Sequence, residues 1–246
     1  MPENFEYLEK PGVQPEFASV PIQLKMIKTP INNVKTRTIL KPIKETGLTG
    51  INGGFFDADE GYNKPPTRGA SIVYERMATD DEVTYEGRTL PYNYDYNGSP
   101  SNPKSRKTMV IYRDNVGEYG VEYMYARTID DVLDRYEVGG GRVETVVGGT
   151  SFNESDWSST AYNLPTPRTC VAWKGNYIYL IIARHAITIP QLRESLEMNN
   201  LSATNAVVLD GSGSTAMQVI INGSKSKSFY GENRYLYNVV CLQRNS

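Results

Sequence analysis

The sequence predicts an α+β domain built on a central twisted sheet, mixed or antiparallel, with a few helices packed on it. Three observations lead there. Short apolar or alternating runs bounded by glycine, proline and asparagine recur along most of the chain. Only two segments, opening at Thr128 and Thr188, combine a capping signal with apolar residues at helical spacing. One apolar run, Val207-Val208-Leu209, leads straight into an acid and a glycine-rich turn, as a buried strand does where it leaves a sheet at a crevice.

With 246 residues the chain is expected to form one large domain, and 39% hydrophobic against 22% charged residues is an ordinary globular balance. The formal charge of −2 argues against broad nucleic-acid binding, which needs a strongly basic face. No membrane span is expected, and oligomerisation stays open. Cys170 and Cys241 lie in apolar runs, where cysteine serves as a small hydrophobe; pairing stays open, but no disulfide framework or metal spacing is visible. The start, Met1 to Tyr7, has no basic segment followed by an apolar one, so no secretory signal is expected. The expected location is the cytoplasm, or a virion or the cell exterior if the chain is phage-derived.

Residues 1–30 carry five prolines and little periodicity, and are expected to form an extended arm preceding a domain over 31–246. Val34, Thr36, Thr38 and Leu40 alternate as in a strand. Gly47 to Asp57 interrupts apolar residues with Asn52, Gly53, Gly54 and Asp57; a plain turn with Phe55 and Phe56 in the core is the simple reading. Asp57, Asp59 and Asn63 start like a calcium loop, but Arg68 stands where the closing acid belongs. Residues 74–108, rich in Tyr, Asn, Ser and Pro, read as an insertion, in which Tyr92, Tyr94 and Tyr96 either pin a loop or stack on sugar rings.

Strands are expected at Met109–Tyr112 and Val121–Tyr125, then a helix whose buried face is Ile129, Val132, Leu133 and Tyr136, ended by Gly139-Gly140-Gly141. After the strand Val143–Val147, residues 150–167 read as a polar loop leading to Arg168. Thr169–Trp173 and Tyr177–Ala183 form a hairpin around Gly175, with His185 just beyond it. Thr188-Ile-Pro-Gln191 is a capping box that opens a helix with Leu192 and Leu196. Asn222-Gly223 marks a further hairpin, and Tyr235–Leu242 a last strand.

Gly211, Ser212, Gly213, Ser214 and Thr215 follow Asp210. Their consecutive N–H groups can converge into an anion-binding nest, with the hydroxyls as further donors. The same residues also make a good plain turn. There is no lysine for a GxxxxGK[ST] loop and no GxSxG elbow.

Asn52-Gly-Gly-Phe-Phe-Asp57, Pro167-Arg-Thr169 and Leu209-Asp-Gly-Ser-Gly-Ser-Thr215 occur in this order, and together they resemble the phosphodiester glycosidase family, whose usual strings are NGGFF or NGGYF, PRT and LDGGGST. Ser212 replaces the middle glycine. The resemblance, over roughly residues 34–242, implies a hydrolase of sugar-1-phosphodiester bonds acting on a carbohydrate phosphodiester, with N-acetylglucosamine as the family's known sugar. It implies Asp210 or Asp57 as base or nucleophile, Arg168 as a bidentate phosphate ligand, Asn52 as a partner of a sugar hydroxyl, and Gly53, Gly54 and residues 211–215 as substrate contacts. His185 at its strand end is a candidate for phosphate binding or proton transfer, or equally for capping the turn that follows.

Such hydrolysis passes through an oxocarbenium-like state stabilised by carboxylates, and the departing phosphate needs charge stabilisation more than a strong acid. No cofactor is required; a structural or catalytic divalent cation such as calcium stays open, with Asp57, Asp59 and Asp210 as the acids that metal-dependent chemistry would use. A surface glycan or wall polymer is the expected substrate. The competing reading is a non-catalytic glycan-binding module of a phage tail or cell surface.

Overall fold

The computed structural model of the chain describes residues 4–15 and 21–243. Among the described residues three large antiparallel sheets, with three two-stranded ones beside them, take the place of the single central sheet. The first runs Glu6–Pro11, Gln23–Pro30, Tyr177–Ile187, Thr166–Lys174, Ala206–Val208. The second runs Tyr119–Ala126, Arg106–Arg113, Arg142–Gly148, Val73–Glu75, and the third Ser224–Phe229, Met217–Ile221, Gly50–Asn52, Leu236–Leu242, Val34–Lys41. The fold is thus mostly sheet with few helices.

The sheets share one core. Ile27, Val171, Leu180 and Val207 of the first sheet meet Met109 and Val147 of the second and Ile51, Met217 and Val240 of the third. Each sheet turns one face inward and needs cover for the other. Helix Ile189–Met198 lays Ile189, Leu192 and Leu196 on the outer face of the first sheet, against Cys170, Ile181 and Ala206. Its capping box forms as expected, Gln191 Oε1 accepting from the Thr188 N–H at 2.9 Å and Thr188 Oγ1 from the Gln191 N–H at 3.3 Å. Helix Ile129–Tyr136 places Ile129 and Val132 on Val110 and Val146 of the second sheet. Asn222 (φ 51°) and Gly223 (φ 76°) make the expected hairpin turn, which requires positive φ at both residues.

Thr150 and Val208 exchange two backbone hydrogen bonds of 2.9 Å each. Strand Ala206–Val208 therefore lies between the first sheet and the end of the second. The chain emerges from this junction as Leu209-Asp210.

Two expectations change. The extended arm is sheet: Gln23–Pro30 is a largely buried strand between Glu6–Pro11 and Tyr177–Ile187, because the Leu24, Met26 and Ile27 side chains fill the core. Residues 1–3 and 16–20 of that arm lie outside the described residues. The Tyr-rich stretch holds a hairpin, Glu82–Tyr85 with Arg88–Pro91, and its tyrosines face inward: Tyr94 packs edge-on to Tyr96 and Tyr237, and Tyr92 donates to the Thr36 carbonyl. They pin the loop. Cys170 and Cys241 are buried on different sheets, and burial pushes the Cys170 thiol upward.

Candidate active site

The three glycine and arginine motifs meet at Asn52, which is 1% exposed. Its Nδ2 donates to the Asp210 carbonyl at 2.7 Å, and its Oδ1 accepts from Thr169 Oγ1 at 2.8 Å and the Ala216 N–H at 3.0 Å. The Asp210 N–H donates to the Gly53 carbonyl at 3.2 Å, and the Leu209 N–H to the Thr169 carbonyl at 2.9 Å. Both backbone ends of Asp210 are thereby fixed by the other two motifs.

Gly53 and Gly54 serve this packing. A side chain on Gly53 would collide with the Asn238 amide, and one on Gly54 would come 2.6 Å from the Gly148 carbonyl. Their N–H groups donate to Asn238, leaving none for a ligand. Asn52 has likewise spent its amide inside the protein. The expectation that it meets a sugar hydroxyl gives way to a positioning role.

Burial pushes the Asp210 carboxyl up to about 6, although the Ser214 hydroxyl, the Gly211 N–H and the Arg234 guanidinium all pull it down. Gly211 donates to Asp210 Oδ1 at 2.9 Å. Residues Ser212–Ser214 form one 3-10 turn in which the Ser214 and Thr215 N–H groups bond to the Gly211 and Ser212 carbonyls at 3.1 Å. The expected five-donor nest therefore shrinks to the N–H groups of Ser212 and Gly213, which make no hydrogen bond among the described residues. Ser212 sits at φ 58°, in the left-handed region, which accounts for the glycine usual at this position.

Buried polar atoms are nearly always hydrogen-bonded, so exceptions mark places where something is missing. Six buried side-chain nitrogens and oxygens lack a partner among the described residues, and four cluster here: Ser214 Oγ, Thr215 Oγ1, Asn233 Oδ1 and Asn238 Nδ2. Ser214 Oγ faces the Asp210 carboxyl yet closes no hydrogen bond in the rotamer present.

The segment after Tyr230 supplies residues that sequence reasoning missed. Glu232 and Arg234 lie over Gly213, where any side chain would collide with both. Arg234 Nε and Nη2 donate to Glu232 Oε2 at 2.8 and 2.6 Å, and its guanidinium stacks 3.7 Å from the Tyr62 ring centroid. Only the fold brings this loop onto the turn; Gly231, at φ 51° against the Gly213 carbonyl, is the one local sign of it.

Arg168 is 6% exposed, and burial pushes its guanidinium down to about 10. Its Nε and Nη2 donate to the carbonyls of Ile187, Ala161 and Leu164, at 3.2, 3.0 and 2.6 Å. The nitrogens that a bidentate phosphate clamp would use are therefore occupied. What Arg168 brings to the neighbouring Gly211 turn is a buried positive charge with no acid partner among the described residues.

Asp57 pairs with Arg68 at 2.5 Å. Its electrostatic neighbours are Arg68, Tyr94 and Arg106, none of which acts on Asp210. His185 is exposed on the bulge that the strand Tyr177–Ile187 makes opposite Pro167, and its ring bonds to nothing among the described residues. Asp59 accepts from Thr67 Oγ1, and no group of three or more His, Cys, Asp or Glu side chains among the described residues is arranged to hold a metal.

The phosphodiester glycosidase family model matches residues 46–243, from before Asn52 to beyond the last strand. The chain belongs to the phosphodiester glycosidase family. It is accordingly an enzyme, a glycosidase-type hydrolase of phosphodiester-linked sugars. Among solved structures, the catalytic domain of zebrafish N-acetylglucosamine-1-phosphodiester alpha-N-acetylglucosaminidase, auto-inhibited by its pro-peptide, superposes with a TM-score of 0.66 at 14% identity, over 99% of this chain and 84% of that one. A Burkholderia pseudomallei protein thought to be exported gives a TM-score of 0.46 at 12% identity, over 91% of this chain and 74% of that one. The first of these likenesses concerns the fold. The sequence matches no curated protein significantly. As a phosphodiester glycosidase the chain keeps all three motifs, and no helix among the described residues is long and apolar enough to cross a membrane.

Proposed function

We propose that this phosphodiester glycosidase cleaves the bond between an anomeric carbon and a phosphodiester in a surface glycan or wall polymer, with an N-acetylhexosamine as the departing sugar. The reading rests above all on Asp210: a carboxyl with a pKa near 6, held between fixed backbone contacts and facing a turn with two unpartnered buried hydroxyls. The N-acetylhexosamine follows the substrate named for the zebrafish enzyme.

Asp210, ionised above about pH 6, meets the anomeric carbon and stabilises the oxocarbenium-like state. The phosphate seats on the Ser212 and Gly213 N–H groups and the Ser214 and Thr215 hydroxyls. Arg234 supplies the directed guanidinium, and Arg168 adds an uncompensated positive charge from behind the turn. In the free enzyme Glu232 holds Arg234, and the incoming phosphate takes its place. The phosphate leaves as a phosphomonoester anion, so no second acid is needed, which frees Asp57 to remain paired with Arg68.

The test follows the products formed from an N-acetylglucosamine-1-phosphodiester by NMR. Release of free sugar and phosphomonoester is expected, and retention of the anomer makes Asp210 a nucleophile whereas inversion makes it a base. Binding without any product, by folded protein, would overturn the hydrolytic reading for this substrate class and favour a glycan-binding module.

A further inference from the structure

Of the two buried polar atoms without partners outside the Asp210 corner, Arg113 Nε lies 2.9 Å from a Glu144 carboxylate oxygen. The other is Nε of Arg193, a half-buried side chain at a different place. It borders a cavity of about 380 Å³ walled by Lys107, Tyr123, Tyr125, Ser151 and Asn153. The turn Ala203-Thr204 forms its floor, at the start of strand Ala206–Val208, whereas Asp210 follows that strand's other end.

Two cations meet in this cavity with no acid bonded to either, although Asp156 lies close enough to act on Lys107 electrostatically. Lys107 is 4% exposed; its Nζ donates to the Thr204 and Ala203 carbonyls at 2.7 and 3.2 Å and lies 4.1 Å from the Tyr123 ring centroid. Arg193 donates through Nη2 to the Phe152 carbonyl and leaves its buried Nε unbonded. Neither forms an ion pair with a carboxylate among the described residues. Glu197 carries the opposite sign on the exposed side of the cavity, and Asp156 is held by Ser151 Oγ at 2.5 Å and Tyr125 Oη at 3.0 Å.

Burying a cation costs several kcal/mol unless an anion or a full set of hydrogen bonds offsets it, so buried Lys and Arg are ordinarily paired. Desolvation is strong enough to push the Lys107 ammonium down to about 8. Tyr123 and Tyr125 alternate on one strand and so present their rings on the same face. Half-buried tyrosine rings beside amide and hydroxyl groups suit a sugar ring, apolar on its faces and polar at its edge.

We propose that this cavity is a second binding site, separate from the Asp210 corner, for a single sugar residue carrying an oxyanion, either a phosphate or a carboxylate. The oxyanion satisfies Arg193 Nε and compensates Lys107, while the ring lies along the tyrosine wall. The site does not depend on the hydrolytic reaction. The segment 150–165, expected as a polar loop but holding the short helix Ser159–Asn163, ties it to the catalytic corner, since Ser151 and Asn153 line the cavity and Ala161 and Leu164 hold Arg168.

Glucose 1-phosphate, glucuronate and neutral methyl glucoside are titrated calorimetrically into the Arg234→Met protein, in which the catalytic phosphate seat is disabled. The two anions are expected to bind and the neutral glycoside at least tenfold more weakly. Preference for one anion over the other identifies phosphate or carboxylate as the natural group. Adding Arg193→Gln is expected to weaken anion binding at least tenfold while, in an otherwise wild-type chain, leaving phosphodiester hydrolysis unchanged. Lys107→Met also strips the 203–204 turn of two hydrogen bonds, so Arg193→Gln is the deciding variant, and the Arg193 Nε–H signal of the unsubstituted protein, shifting on addition of either anion, gives a second readout. No binding of either anion, equal binding of the neutral glycoside, or an Arg193 signal that stays in place would overturn the proposal.

Discussion

The Asn52 Nδ2 group donates to the Asp210 carbonyl at 2.7 Å across 158 positions of sequence, and the other end of the same amide holds Thr169 and Ala216. One buried side chain thus sets the position of the acid relative to the PRT strand and the turn that follows. Removing it, as in Asn52→Ala, leaves a buried N–H and carbonyl unpaired, at roughly 2–4 kcal/mol for the set. The expected result is a lower melting temperature together with a fall in kcat that exceeds any change in KM. An unchanged melting temperature would contradict the positioning role.

Asp210 itself costs the fold stability. Its folded pKa near 6 lies above its ordinary 3.8, so the folded state takes up a proton between those values. The contribution of Asp210 to stability is most favourable below about pH 4, falls as pH rises through 6, and above that is a penalty of roughly 3 kcal/mol, from about 1.4 kcal/mol per pH unit. Asp210→Asn is expected to be inactive yet more stable than wild type at pH 7, and equally stable at pH 4. Denaturant titration at both pH values reads this directly.

Ser212 occupies a backbone conformation that costs a non-glycine residue about 1 kcal/mol. Ser212→Gly restores the family's usual string and is expected to raise stability by roughly 0.5–1 kcal/mol with activity retained. A loss of stability would mean that the hydroxyl contributes more than the strain it incurs.

Glu232 and the substrate phosphate compete for Arg234. Glu232→Gln removes the competing charge, so KM is expected to fall severalfold, whereas Arg234→Met raises KM and lowers kcat/KM by at least tenfold. Steady-state kinetics of the two variants separates these effects. Opposite signs are the mark of competition; parallel losses would make the pair merely structural.

Much of this was legible in the chain. Local signals that act within one element are plain in the chain: the Thr188 capping box, the Asn222-Gly223 turn, the hairpin at Gly175, and the run into Asp210. The strand Gln23–Pro30 is not, because its four consecutive buried residues, Leu24, Lys25, Met26 and Ile27, include a lysine and break any alternation. Division into three sheets depends on which faces find cover, which no local pattern states. At the site the three motifs converge on Asp210 through Asn52 and Thr169, but the division of labour among their residues is not written in the chain. Asn52, Gly53 and Gly54 hold the backbone, and Arg168 gives two of its nitrogens to carbonyls, since those contacts come from residues far away in sequence. Glu232 and Arg234 had no motif to announce them.

The central claim is that an ionised Asp210 does the chemistry. The dependence of kcat/KM on pH, measured from pH 4 to 8 on a sugar-1-phosphodiester, tests it most directly. The account predicts a limb that rises with unit slope and bends near pH 6, and no measurable limb in Asp210→Asn. A profile flat through pH 6, or an Asp210→Asn protein that hydrolyses the substrate at the wild-type rate, would contradict it.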